Sequence, residues 1–209
     1  MIALYIDTSS SYLYSGILKD NELICELKES LNHDLSTFAL DEISKMFKGV
    51  SLKPEDVDKI VVCNGPGSFT GIRIGVTIAK IFALSLHKEI TTISSLEAMM
   101  YSVTTESLVV PMINARRKAC FGAIYENGKC LLEGQYILIE DLLNKVKSYN
   151  KDYLLVSGDS FNDLDTILYD ADIKNIIING IKKDSINPHL VNPIYLKLTE
   201  AEEKRMAND

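Results

Sequence analysis

The 209 residues are 46% hydrophobic, which is enough for one large domain or two small ones and excludes a disordered chain. The formal net charge of −7 argues against a protein that holds nucleic acid alone, because phosphate contacts draw on clustered Lys and Arg. We therefore expect any RNA contact to need a basic partner.

The four cysteines lie far apart and form no C-x-x-C pair, so the sequence contains neither a zinc knuckle nor a redox motif. A reducing, cytoplasmic compartment is expected. The apolar run after Met1 is too short for a signal peptide and lacks a basic flank. The longer run from Ile72 to Leu86 is interrupted by Arg73 and Lys80, so no membrane association is expected.

Three strands and a helix are predicted at the start of the chain. The first strand, Leu4 to Asp7, ends on an acid, and Asp20-Asn21 tolerates the positive φ of a hairpin turn. A helix is predicted from Ser36 to Phe47, with Asn32 or Asp34 as its N-cap. Its apolar residues span about half of the circumference, wider than the stripe of about 100° that one core contact needs. The surplus is covered by another part of the chain or forms an exposed interface.

The strand Lys59 to Cys63 runs into a glycine-containing turn that opens a second helix. Backbone amides at such a helix start can bind an anion. No Gly-Lys-Ser/Thr follows, however, so a tight strand-to-helix connection explains the turn at least as well. The motif consists of Gly65, Pro66, Gly67, Ser68, Phe69 and Thr70, with Arg73 on the helix.

The second helix carries a stripe of small residues at every fourth position. Because residues four apart share a face, another helix can approach this stripe closely. The remaining circumference is mostly apolar, so more than one sheet must cover the helix, and pairing through both helices would give a four-helix packing. The predicted interface comprises Leu35, Phe38, Ala39, Glu42 and Met46 of the first helix and Gly71, Ile72, Gly75, Val76, Ala79, Phe82 and Ala83 of the second.

The second half of the chain repeats the first. At an offset of 107 residues, Leu4–Asp7 aligns with Pro111–Asn114 and Asp20–Glu22 with Asn127–Lys129, without a gap. Chance similarity of short hairpins is the alternative, but the shared order of elements favours duplication. The later elements are a helix at Ile139–Val146, a strand at Tyr153–Ser157 and a second helix from about Phe161.

The order β-β-β-α-β-α, written twice, predicts an α/β protein of two tandem layered domains with mixed sheets. Residues 1–104 form the first domain, which carries the interface helices, and residues 105–209 form a smaller second domain. The stretch 192–204 is expected to be a strand or loop followed by a polar helix that packs back on the first domain. A duplicated fold of this order resembles the actin, hexokinase and sugar-kinase superfamily, in which ribonuclease H-like domains hold ATP between them.

Enzymes of that superfamily carry a glycine-containing acidic turn after the first strand of each half. The turn at Asp7 keeps the acid but has no glycine to let a phosphate approach closely, and the turn Asn114-Ala115-Arg116-Arg117 has no acid. Mg-nucleotide binding in that manner is therefore not expected, and Asp7 is expected to bind backbone N–H groups. Arg116 and Arg117 either hold an anion or are solvated.

Five motifs together resemble the TsaB (YeaZ) family over nearly the whole chain. The central one is the glycine-rich stretch from Gly65 to Gly75, and Asn114 departs from the family because an acid is common at that position. The supporting motifs are Ile6-Asp7-Thr8-Ser9, Asn32-His33, Asn114-Ala115-Arg116-Arg117 and Asn192-Pro193-Ile194-Tyr195-Leu196.

The resemblance implies a non-catalytic partner of TsaD, the paralogue that transfers threonylcarbamoyl to N6 of the adenosine beside the anticodon in tRNAs reading ANN codons. TsaC supplies the threonylcarbamoyl group, and TsaE, an ATPase, joins the complex. By this resemblance the chain binds TsaD through its N-terminal helices and forms a homodimer through the same surface when alone. It contacts tRNA only within the complex, and ATP and metal belong to the partner subunits.

No catalytic residue and no metal site is predicted. TsaD has two metal-binding histidines four residues apart on one helix, whereas His33, His87 and His189 are separate here. No serine, histidine and acid combination is recognisable either. The alternatives are an independent ATP-binding enzyme of the sugar-kinase type and a glycoprotease-like peptidase.

Overall fold

Two five-stranded mixed sheets, one from each half of the chain, form the framework of the structure. The computed structural model describes residues 1–30, 35–161 and 164–197. The strands of the first half are β1 (Ile2–Asp7), β2 (Tyr12–Lys19), β3 (Glu22–Ser30), β4 (Lys59–Cys63) and β5 (Glu89–Ile93). Those of the second half are β6 (Leu108–Asn114), β7 (Ala119–Glu126), β8 (Lys129–Leu138), β9 (Tyr153–Ser157) and β10 (Ile167–Leu168).

The two sheets have the same strand order. The first runs β3-β2-β1-β4-β5 and the second β8-β7-β6-β9-β10. In each sheet the first three strands pair antiparallel, and the fourth and fifth run parallel to the first. Positive φ angles at Asp20-Asn21 and Asn127-Gly128 form the two equivalent hairpin turns. The predicted duplication of element order is thus confirmed for the strands.

The helices flank these sheets, and three of them match the sequence predictions to within a few residues. Of the helices in the described residues, none is long and apolar enough to cross a bilayer. The helices are α1 (Leu35–Gly49), α2 (Phe69–Ser85), α3 (Ser95–Tyr101), α4 (Ile139–Lys147) and α5 (Ile173–Gly180), with short 3-10 helices at Pro54–Asp56 and Pro188–Leu190.

The helix predicted from about Phe161 is wrong. Phe161 and residues 164–166 are not helical, and β10 follows at Ile167. Phe161 is instead buried in the core between α4 and the second sheet. The segment 158–166 is too short for a parallel crossover with its own helix, which takes about 10–12 residues. The predicted caps Asn32 and Asp34, and the tail from 198 onward, lie outside the described residues.

Each half of the chain contributes a helix that covers one face of the other half's sheet. On the first sheet, α1 and α2 cover one face, and α5 covers the other although it belongs to the second half. On the second sheet, α4 covers one face, and α3 from the first half covers the other. The predicted boundary at residue 104 falls between α3 and β6. The division into two separate domains stays a prediction.

Residues 188–197, which we call the strap, run from α2 in the first half to the second sheet, where Lys197 lies over the Tyr136 ring. Lys80 of α2 donates hydrogen bonds to the strap carbonyl oxygens of His189 and Val191 at 3.2 and 2.9 Å. The Asn64 Nδ2 atom donates to the carbonyl of Asn192 at 3.1 Å, and Ile194 N donates to the Asn64 carbonyl at 2.8 Å. The strap is therefore fixed beside the glycine turn. Its residues 192–197 have no regular secondary structure.

Candidate functional site

The small-residue stripe of α2 faces the chain's own first sheet. A Cβ atom at Gly71 would lie 2.1 Å from the Thr8 carbonyl oxygen, and one at Gly75 would lie 2.4 Å from Thr8 Oγ1. Thr8 Oγ1 also donates a 2.6 Å hydrogen bond to the Gly71 carbonyl. The prediction that a partner helix approaches this stripe is therefore wrong, because Thr8, the residue directly after β1, occupies it. The other two residues of the stripe, Ala79 and Ala83, are also buried, as are the neighbouring Ile72 and Val76.

The glycine turn connects β4 tightly to α2. A Cβ atom at Gly67 would lie 2.2 Å from the Ser9 carbonyl oxygen, which accepts a 2.7 Å hydrogen bond from Ser68 N. The Ser68 hydroxyl caps α2 by accepting from Gly71 N at 3.2 Å. Gly65 has φ +105°, which favours glycine. Because these amides have partners within the chain, the turn is best explained as a connection that seats α2 on β1.

The outer faces of α1 and α2 expose large apolar side chains. Phe38 and Leu40 of α1 are 43% and 55% exposed, and Ile81 of α2 is 57% exposed. The two helices contact each other, and the rings of Phe47 and Phe82 stack at 6.5 Å. The sequence prediction did not include Leu40, Ile81 and the exposed Leu84 in the interface.

The twelve predicted interface residues thus divide by exposure. Phe38 is exposed, and Glu42 and Phe82 are partly buried. Glu42 pairs with Lys45 one turn along α1 at 2.6 Å. A partner can reach these three side chains, but it cannot reach the others without unfolding the core. The buried ones are Leu35, Ala39, Met46, Gly71, Ile72, Gly75, Val76, Ala79 and Ala83.

At the first turn of α2, Arg73 lies against two aromatic rings. Its guanidinium carbon is 3.8 Å from the centre of the Phe69 ring, and its Nε atom donates a 2.8 Å hydrogen bond to the hydroxyl of Tyr195 in the strap. The two rings lie 5.2 Å apart and are 47% and 46% exposed. Sequence reasoning did not connect Tyr195 with the turn, because 122 positions separate it from Arg73.

Asp7 is buried at the end of β1 and both of its oxygens are occupied. Oδ1 accepts a 2.7 Å hydrogen bond from Ser9 N, and Oδ2 accepts a 3.0 Å hydrogen bond from the Tyr5 hydroxyl. The expected binding of a backbone N–H is confirmed. Burial raises the pKa of Asp7 above its ordinary value, although these hydrogen bonds act in the opposite direction. These two hydrogen bonds tie the carboxyl group to the turn that follows β1.

The corresponding turn of the second half is basic and conformationally unusual. Arg116, Arg117 and Lys118 have φ of 63°, 51° and 60°, so three successive side-chain-bearing residues are left-handed. Asn114 holds the turn, because its Oδ1 accepts from Arg116 N at 2.8 Å. Asn114 N donates to a carboxylate oxygen of Asp159 at 2.7 Å. Anion binding by Arg116 and Arg117 stays a prediction.

The side chains that could bind a metal ion do not cluster in the described residues. Within residues 1–30, 35–161 and 164–197, no three His, Cys, Asp or Glu side chains lie close enough together to hold a metal ion. His87 and His189 are both exposed, and His33 lies outside the described residues.

The chain is similar in sequence to a family model and to curated proteins of known pathway. The family model described as "TsaD: tRNA N6-adenosine threonylcarbamoyltransferase" matches residues 31–188. The tRNA threonylcarbamoyladenosine biosynthesis protein TsaB of Bacillus subtilis (strain 168) is 31% identical, over 98% of this chain and 97% of the relative. The TsaB protein of Buchnera aphidicola subsp. Schizaphis graminum is 28% identical over 78% of this chain and 80% of its own.

Solved structures agree in fold. A Pseudomonas aeruginosa protein described as similar to peptidase YEAZ superposes with a TM-score of 0.79 at 18% identity, covering 94% of this chain and 99% of that chain. YeaZ from Pseudomonas aeruginosa superposes with a TM-score of 0.73, also at 18% identity, covering 93% and 99%. Matched along nearly its whole length by sequence and by fold, the chain belongs to the TsaB (YeaZ) family.

Proposed function

We propose that the chain is a non-catalytic subunit that binds TsaD through the outer faces of α1 and α2. Its role in tRNA threonylcarbamoyladenosine biosynthesis follows from its family, since relatives matched over most of its length are biosynthesis proteins of this pathway. The match to the TsaD family model is consistent with a paralogue of the subunit it would bind. TsaD then performs the transfer, TsaE joins the complex, and tRNA is held by the whole assembly in the cytoplasm.

The exposed apolar surface of α1 and α2 carries this proposal. Phe38, Leu40 and Ile81 are each about half exposed. Ile81 cannot be covered by the chain's own first sheet, because α2 packs on that sheet with the face that carries Gly71 and Gly75. Burying one such side chain in an interface contributes roughly 1.5–3 kcal/mol when burial is complete, so a partner gains substantially by covering them.

A non-catalytic role is supported by the two turns that replace acidic nucleotide-binding turns. The Asp7 carboxylate is occupied by Ser9 N and the Tyr5 hydroxyl, and Asn114 replaces the acid in the other half. We therefore assign ATP and metal to the partner subunits. The identical strand order of the two sheets supports the finer assignment to tandem ribonuclease H-like domains.

The same surface is proposed to form a homodimer when TsaD is absent. A two-fold pairing of α1 and α2 would bury the outer faces of both copies in a four-helix packing. Self-association and TsaD binding would then exclude each other. Light scattering of the purified chain is expected to give the mass of a dimer, and addition of TsaD is expected to replace it with a mixed complex.

Charge introduced at the outer faces tests the proposal. Ile81→Glu and Phe38→Glu are expected to abolish co-purification with TsaD, since each buries an unpaired carboxylate in an apolar contact. Leu168→Glu is the matched control, because Leu168 is 75% exposed on β10, in the other sheet. Thermal unfolding should show that all three variants are folded. A complex that survives both helix substitutions would exclude this surface.

A further inference from the structure

The Arg73 guanidinium group contacts two aromatic side chains, and the residue remains exposed. Phe69 covers one face at 3.8 Å, and the Tyr195 hydroxyl engages Nε at 2.8 Å. In the part of the chain that the structure describes, no carboxylate forms an ion pair with Arg73. The guanidinium is thus pre-oriented by its neighbours, while its terminal nitrogens can bind an anion.

A second cation lies over an aromatic ring two residues further along the strap. Lys197 Nζ is 4.6 Å from the centre of the Tyr136 ring, and that ring packs edge-on against Phe121 at 6.1 Å. Lys197 also has no carboxylate partner among the described residues. Because Tyr195 and Lys197 are two positions apart, their Cα atoms are at most about 7 Å from each other. The two clusters are therefore neighbours along the strap, one on α2 and the other on the second sheet.

The basic turn directly precedes β7, the strand that carries Phe121. Lys118 precedes Phe121 by three positions, so their Cα atoms are at most about 11 Å apart. Arg116 and Lys118 are exposed and have left-handed φ angles of 63° and 60°. Cations and aromatic rings thus alternate from Phe69 to this turn, in a protein whose net charge is −7.

We propose that this surface, defined by Arg73, Phe69, Tyr195, Lys197, Tyr136 and Phe121, contacts unpaired nucleotides of tRNA in the assembled complex. Guanidinium and aromatic planes stack on bases, and the adjacent cations neutralise phosphates. An acidic protein segment would use the cations but would not need the series of ring faces. This inference rests on the proposed function, because the acidic chain meets RNA only through its assembly with TsaD. Arg73 and Ile81 are both on α2 and are separated by a rotation of about 80° around the helix axis.

Binding of fluorescently labelled tRNA to the complex with TsaD, followed by anisotropy over a series of salt concentrations, tests the inference. The double substitution Arg73→Gln and Lys197→Gln is expected to weaken binding about tenfold or more and to lower the slope of log K against log salt by up to about 1.4, at roughly 0.7 per phosphate contact of a single strand. The double substitution Phe69→Leu and Tyr195→Leu should weaken binding but leave the slope unchanged, because stacking releases few counterions. Lys129→Gln, at the far end of β8 from Tyr136, is the matched charge control.

The outcomes are distinguishable. Each complex is first checked for normal TsaD content, so a failure of the unmodified chain to bind TsaD would contradict the proposed function before any RNA is added. Unchanged tRNA affinity and salt slope in normally assembled variant complexes would overturn the RNA surface. Loss of TsaE or TsaD from the variants, with unchanged tRNA affinity of the remaining complex, would overturn it as well and would indicate an acidic protein partner.

Discussion

Thr8 shows at the scale of single residues why α2 begins with glycines. Its carbonyl oxygen and its hydroxyl occupy the positions where Cβ atoms of Gly71 and Gly75 would lie. The contact at Gly71 involves backbone, which cannot rotate away. The contact at Gly75 involves a side-chain oxygen, which substitution can remove. The two glycines are therefore required for different reasons.

Alanine substitutions distinguish the backbone contact at Gly71 from the side-chain contact at Gly75. Gly71→Ala and Gly75→Ala are both expected to lower the free energy of unfolding in urea, by about 1–3 kcal/mol, with Gly71→Ala at the upper end. Thr8→Ala alone should cost about 1 kcal/mol through the lost hydrogen bond to the Gly71 carbonyl. In the double variant with Gly75→Ala, however, Thr8→Ala should restore part of the stability that Gly75→Ala removes. In the double variant with Gly71→Ala, it should restore none. Equal recovery in both pairs would contradict this geometry.

The buried carboxyl of Asp7 makes stability depend on pH. Its pKa is raised in the folded state, so the folded chain holds this proton more tightly than the unfolded chain. The contribution of Asp7 to folding stability is fully present below its pKa in the unfolded chain, near 3.8, and is lost as pH rises through its pKa in the folded chain. Asp7→Asn removes the titration while its amide oxygen can still accept from Ser9 N. The stability of the variant relative to the unmodified chain should rise as pH is raised from about 4, measured by urea unfolding at a series of pH values, and a difference that does not change with pH would contradict this.

At the scale of elements, α2 marks the limit of what the sequence predicts. The four-residue spacing of Gly71, Gly75, Ala79 and Ala83 predicted a close approach, and one occurs. The spacing does not say whether the approaching backbone belongs to the same chain or to another, because both demand small side chains equally. Once the sheet is known to take this face, Ile81 must point outward. The strands and hairpin turns were predictable because their signals are local.

The end of α2 offers a test of local helix chemistry. His87 follows the helix with φ 53°, and Lys88 N donates to the Ala83 carbonyl at 2.9 Å, as in a left-handed helix termination. His87→Gly should therefore raise the free energy of unfolding by about 0.5–1 kcal/mol, because glycine adopts this conformation without steric cost. Ser85→Gly, inside the last helical turn, is the control and should lower it by a similar amount. A loss of stability in His87→Gly would contradict the termination.

For the whole molecule, the exchange of helices between halves is the feature that sequence could not reveal. The repeat predicted two units divided at residue 104, and each half does form its own sheet. Yet Ile173, Ile176 and Ile177 of α5 pack on the first sheet, and Met99 of α3 packs on the second. Contacts between residues so distant in sequence leave no periodic signal. The same holds for Arg73 and Tyr195.

Separated halves should therefore not fold alone. A fragment of residues 1–104 lacks α5 and leaves one face of its sheet uncovered, so it is expected to show no cooperative unfolding transition. Fragments 1–104 and 105–209, produced together, are expected to co-purify and to unfold in one transition, followed by circular dichroism. Cooperative unfolding of fragment 1–104 by itself would support two independent domains instead.

The position of α5 also constrains how the protein is made. The first sheet is complete in sequence at Ile93, but the helix that covers its second face begins only at Ile173. At about 5–20 residues per second, translation of the intervening segment lasts several seconds. During that time the nascent chain carries an uncovered apolar sheet face outside the ribosome. The architecture therefore predicts that the N-terminal half completes its fold only after α5 has been synthesised.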